Sequence, residues 1–275
     1  MRRFAQAAGL IAVTLLGSAR VGAEPAIEGM RPAYNTAPVS DVPNAQAISR
    51  HRWAPGLDAG YTPQGLVVAG GRVRMVGYGP GGCRIFDVNG APAIAVPGCK
   101  HGGGLAATGG RLIVIDTRAL FVVSGGRVTR QITLTGALRG SFGEADSQDL
   151  WIGSYERDGQ GGLWRIPLAK LSQDSLSEAD AAATLIIPAR AQGMTFRRGE
   201  LWLTFSGSTF GRLSRIDPST GAEIARYDMP AGIEDLGTDS SGLIWAVSEA
   251  GAKKYTGWKT NFPLIFAINP ALLKE

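Results

Sequence analysis

The chain has 275 residues, 28 basic and 23 acidic side chains, a formal net charge of +5, 39 glycines, two cysteines and two histidines. Two histidines exclude a His-rich metal site, and two cysteines leave a zinc site short of ligands. The length suits one large all-β or α/β domain.

In chain order, Arg2 and Arg3 precede an apolar run from Ala7 to Leu16, and Val21-Gly22-Ala23 follows. Charged start, short hydrophobic segment and small residues read as a signal peptide over 1–23, so a periplasmic or secreted protein is expected. The run is too short to span a bilayer, and the mature chain should carry no membrane span. The segment holds Arg2, Arg3 and Arg20 and no acid, so its removal leaves 25 basic against 23 acidic residues and a net charge of +2. With no Lys/Arg stripe interleaved with aromatics, nucleic acid is not an expected partner. Residues 24–47, with four prolines and little periodicity, read as an extended arm.

From residue 48 to the end the sequence repeats itself. PQGLVVAGGR from Pro63, GGGLAATGGR from Gly102, GSFGEADSQD from Gly140, AQGMTFRRGE from Ala191 and IEDLGTDSSG from Ile233 each join a short apolar segment to a turn. A second strand follows in each unit (VRMVGY, LIVID, LWIGSY, LWLTFS, LIWAVS) and then a third. Four units add a fourth, and the fifth runs out of chain. Segments this short and β-rich are strands. With Gln64, Gly103, Ser141, Gln192 and Glu234 aligned, the units are 39, 38, 51 and 42 residues apart. The long interval holds a polar insertion from Leu171, expected as a short helix. Ile48 to Trp53 can supply the missing outer strand, closing a ring and removing its edges. The expectation is an all-β, five-bladed β-propeller over 48–275, a monomer. Cys83 and Cys99 flank Asn89-Gly90, a hairpin signal, and in an exported chain they are expected to form a disulfide.

In a propeller the inner strands line a channel, and each starts on the face where the second strand ends. That mouth should collect Gln64, His101, Arg139, Ser141, Arg190, Gln192, Glu234 and Asp235 from strand starts. Tyr78, Asp116, Tyr155, Glu156, Ser206, Ser248 and Glu249 come from second-strand ends, and Tyr255 and Trp258 from a polar loop. Arg139, Arg190 and His101 occupy equivalent places and suggest an anion site. The alternative is solvated rim charge. Gln64 and Gln192 either contact ligand or satisfy backbone groups. Glu234 is the one carboxylate in the ring, fitted by burial for acid/base work. Its neighbour Asp235 can face the same ligand only across a bulge. Trp151 and Trp202, in one register, should pack between blades.

The repeats, with turns such as Asp217-Pro218-Ser219-Thr220-Gly221, resemble exported propellers of the broad NHL/YVTN-like and SMP-30-like superfamily. Calcium-dependent lactonases and esterases of that superfamily hold their metal with Glu, Asn and Asp. By that resemblance Glu234 would supply the Glu, but no Asn stands at an aligned position. The residues themselves offer carboxylate and amide oxygens of Glu234, Gln64 and Gln192 for a divalent cation such as calcium. Tyr61-Thr62-Pro63-Gln64-Gly65-Leu66 is also similar to the F-T-Q-G-L of plant-type glutaminyl cyclases, with an intervening proline. That likeness implies Glu234 as a proton shuttle. Two functions are therefore expected: an exported protein holding a small anion, peptide or protein at the mouth, or a propeller hydrolase or cyclase with Glu234 as acid/base.

Overall fold

The computed structural model describes residues 26–34 and 38–275, so the expected signal segment lies outside the described residues. Five antiparallel sheets form the blades of a β-propeller. After β1 (Ile48–Trp53), blade 1 comprises β2 (Thr62–Ala69), β3 (Arg72–Gly79), β4 (Gly82–Asp87) and β5 (Ile94–Val96). Blade 2 comprises β6 (Gly104–Thr108), β7 (Arg111–Asp116), β8 (Ala119–Ser124) and β9 (Arg127–Leu134). Blade 3 contains β10 (Phe142–Ala145), β11 (Asp149–Gly153), β12 (Gln160–Pro167) and β14 (Ala183–Pro188), with the short β13 (Ser175–Leu176) inserted before β14. Blade 4 is β15 (Ala191–Arg197), β16 (Glu200–Gly207), β17 (Phe210–Ile216) and β18 (Glu223–Met229). β19 (Ile233–Thr238), β20 (Ile244–Ser248) and β21 (Leu264–Ile268) begin blade 5, and β1 completes it, pairing Ile48 with Ile268 and Trp53 with Leu264.

Alternating apolar residues face the neighbouring blade, and the buried clusters accordingly lie between blades. One joins Ile113, Leu120 and Ile132 of blade 2 to Leu150, Ile152 and Trp164 of blade 3. Trp151 and Trp202 are both buried in such packing. Two hairpins repeat one device. Asp146 caps its turn and accepts the Trp151 indole N–H at 3.3 Å, while Asp239 does the same for Trp245 at 2.9 Å. In blade 4 the turn is Arg198-Gly199, and the Trp202 indole N–H has no partner among the described residues.

The insertion differs from its expected short helix. It forms two 3-10 turns, Leu168–Ser172 and Glu178–Asp180, around β13, which pairs in parallel with β9 of blade 2. A run this short cannot repay helix nucleation, and strand pairing satisfies its backbone. The disulfide joins Cys83 of β4 to Cys99, Cα atoms 5.4 Å apart. Cys83 itself faces Val96 in the hairpin, and Cys99 follows in the next turn. Residues 26–34 lie along β1, where Glu28 exchanges backbone hydrogen bonds with His51 and Trp53 and its carboxylate pairs with Arg52. Among the described residues no helix is long and apolar enough to cross a membrane.

Candidate functional site

Three inner strands break register at one level. Gln64-Gly65 in β2 stand opposite the single residue Val76, Gln192 is the extra residue of β15, and Glu234-Asp235 in β19 stand opposite Val247. A bulge re-aims side chains that regular alternation would send elsewhere. Here it gathers Gln64, Gln192 and Glu234 at the channel mouth. Crowding explains the glycines beside them: a Cβ on Gly65 would lie 2.5 Å from Gly104 of blade 2, and one on Gly193 would lie 2.3 Å from Asp235.

The bulge also separates the two acids of β19. Asp235 is fully buried, and its carboxylate accepts backbone N–H groups of Leu66 at 3.0 Å, Met194 at 3.1 Å and Leu105 at 3.4 Å. One side chain thus ties the inner strands of blades 1, 2 and 4 to blade 5. Burial raises its pKa well above the ordinary carboxyl range, and these backbone donors offset only part of that. Expected as a ligand contact, Asp235 instead has both oxygens committed to the ring.

Glu234 turns the other way, and its carboxyl stands under the charge of Glu249, the residue after β20. The two are 1 % and 7 % exposed, so water does little to screen them. Gln64 donates Nε2 to Glu249 Oε2 at 2.7 Å, and Gln192 Nε2 and Ser206 Oγ each donate to Glu234 Oε1 at 3.3 Å. Burial first, and then the charge of Glu249, pushes the Glu234 carboxyl well above the ordinary range. Burial raises Glu249 to about 7, against the amide of Gln64 and the charge of Lys254. Two buried acids that feel each other's charge resist ionising together, which favours a single proton held between them near neutral pH.

An aromatic group lies against this pair. The Tyr255 and Trp258 rings are 4.4 Å apart, and the Tyr255 hydroxyl is 3.5 Å from that of Tyr78. Lys254 donates Nζ to the Tyr78 hydroxyl at 2.8 Å and stands 5.1 Å from both tyrosine ring centres. Burial and then the Glu249 charge raise the Tyr255 hydroxyl, which stays protonated. His101 stacks on Tyr78 at 4.5 Å, at the rim.

The remaining expected contacts form a separate group on blades 3 and 4. Arg139 pairs with Glu156, and Arg190 reaches Asp158 at 3.9 Å and the Arg157 carbonyl at 3.2 Å. Ser141 Oγ accepts the Tyr155 N–H at 3.0 Å. Arg139 and Arg190 thus have acidic partners of their own, and His101 sits with the tyrosines. Sequence reading places Glu249, Ser206 and Tyr78 on the mouth without assigning them roles, and Lys254 in a loop. The available signal for Glu249 is its place at the end of β20, facing the bulge that carries Glu234.

Gln64 and Gln192 stand 2.7 Å and 3.3 Å from the carboxyls of Glu249 and Glu234, and calcium takes amide and carboxylate oxygens. Among the described residues no group of three His, Cys, Asp or Glu is placed to hold a metal.

No protein-family model matches the chain, and no curated protein matches it. Among solved structures, Myxococcus xanthus glutaminyl cyclase superimposes with a TM-score of 0.57 at 16 % identity, over 81 % of this chain and 94 % of the enzyme. Hydrazine synthase of Kuenenia stuttgartiensis matches with a TM-score of 0.45 at 12 % identity, over 68 % of this chain and 55 % of the other. A luciferin-regenerating enzyme matches with a TM-score of 0.44 at 14 % identity, over 68 % of this chain and 69 % of the other. The likeness to the cyclase is one of fold.

Proposed function

We propose that this propeller is an exported ligand-binding protein that holds a small molecule or peptide end at the channel mouth, between the Glu234–Glu249 pair and the Tyr78, Tyr255 and Trp258 rings. One observation carries the reading: two buried carboxyls, Glu234 and Glu249, set in a ring of amide and hydroxyl donors. Such a pair can accept from a ligand donor with one oxygen and donate to a ligand acceptor through its proton. It therefore favours an amide or amine over the anion suggested by the arginines. Tyr255 and Lys254 stand near enough to the pair for their charges to act on each other, so the 250–263 loop borders the ligand's approach.

A second reading, turnover with Glu234 as acid/base, is favoured by the same pair. A carboxyl held near neutrality can give a proton to a leaving group, and its partner can stabilise the anion left behind. A short peptide with N-terminal glutamine is the first compound to test, because the cyclase shares the fold.

Calorimetric titration of that peptide and of simple amides into the mature protein, with ammonia release followed in parallel, separates the readings. Saturable binding without release, weakened at least tenfold in Glu234→Gln, supports the binding protein. Release abolished by Glu234→Gln supports the enzyme. Binding indifferent to Glu234→Gln contradicts both.

A further inference from the structure

Three hairpins share the triplet Gly-Gly-Arg: Gly70-Gly71-Arg72, Gly109-Gly110-Arg111 and Gly125-Gly126-Arg127. Both glycines of each have positive φ, between 54° and 78°, the tight turn that side chains disfavour. All three turns lie at the end of the blades opposite the channel mouth. They converge on one cleft between blades 1 and 2, of about 520 Å³, lined by Gly70, Gly109, Gly110, Gly125 and Gly126 and by the side chains of Arg72, Arg74 and Arg111.

The charge there is unbalanced. Asp87 is the acid these arginines meet, at 2.8 Å from Arg72 Nε and 3.5 Å from Arg74 Nε, and it is buried behind them. Three guanidiniums against one carboxylate leave two positive charges. Arg111 has no acidic partner among the described residues, and its guanidinium lies over its own turn, where a Cβ on Gly109 would come within 3.7 Å of Nη2. At the turn tips Gly70, Gly110, Gly125 and Gly126 have nothing within 4 Å of a would-be Cβ, so backbone and guanidinium are open to the same space. Ile94 and Leu112 form an apolar wall.

We propose that this cleft binds a small doubly charged oxyanion, a phosphate or a phosphate monoester. Arg111 and the free edges of Arg72 and Arg74 supply planar donor pairs matched to phosphate oxygens. The glycine turns let an anion approach the backbone without a Cβ in the way. The site is independent of the channel mouth.

The test uses the mature full chain titrated with inorganic phosphate at fixed ionic strength, with chloride as the control. Backbone amide resonances of the six turn glycines report binding. Saturable shifts confined to those turns are expected. Arg111→Gln, which orphans no partner, should weaken the affinity about tenfold or more, as loss of a charge-assisted hydrogen bond does. Arg198→Gln, at a blade 4 hairpin on the same face, should leave it unchanged. Should Arg111→Gln misfold, Arg74→Gln serves, since the closer Arg72–Asp87 pair remains. Shifts that fail to saturate, or equal losses in Arg111→Gln and Arg198→Gln, would overturn the proposal in favour of diffuse attraction.

Discussion

Glu249 and Glu234 place two acids where there is little water to separate their charges, and stability should record this. The Glu249 carboxyl, ordinarily near 4.5, is raised to about 7. A carboxyl with a raised folded value holds its proton more tightly folded than unfolded, so its contribution is complete below about 4.5 and is lost as pH rises through about 7. The shift corresponds to roughly 3 kcal/mol. Urea unfolding at pH 4.5 and 7.5 should show stability falling over that window, and Glu249→Gln should remove most of this share. Asp235, one residue from Glu234, predicts a different outcome. Asp235→Asn replaces one acceptor oxygen by an N–H₂ facing backbone donors, and should cost about 3 kcal/mol by leaving buried N–H groups unpaired. The alignment puts Glu234 alone at the ring position and leaves Asp235 beside it, but what Asp235 does instead, holding backbone N–H groups of three other blades, depends on a bulge that leaves no trace in the sequence.

At the scale of elements, the strands were legible because short apolar runs alternate with Gly-rich turns, and their pairing follows from adjacency. The bulges were not, since an extra residue in β2, β15 or β19 leaves the apolar pattern of the strand intact. Nor was the end of the insertion, whose Ser175-Leu176 joins blade 2 through backbone bonds that leave no periodic trace. The Cys83–Cys99 bridge could be read from compartment and spacing. It closes a loop with a sequence separation of 16. Replacing both cysteines by Ser should lower stability by about 3 kcal/mol in the chain-entropy model, measured as the difference in urea midpoint between the double variant and the oxidised protein.

For the whole molecule, closure is the decisive feature. β1 supplies the outer strand of blade 5, so residues 48–53 and the last repeat stabilise one sheet. A chain beginning after Trp53 would leave the backbone of β21 unpaired along an open edge. Light scattering should find such a truncated protein self-associated, whereas a chain that keeps β1 should run as a monomer. A monodisperse truncated monomer of native stability would contradict the closure account.

Glu234 and Glu249 should hold one proton between them at the channel mouth. Carboxyl-resolved NMR titration of the protein, with Glu234→Gln and Glu249→Gln to assign the resonances, reads this directly. Two separate steps are expected, one near pH 7 and one displaced from it, collapsing to a single shifted step in either variant. Independent titration of both carboxyls near 4.5 would contradict the claim.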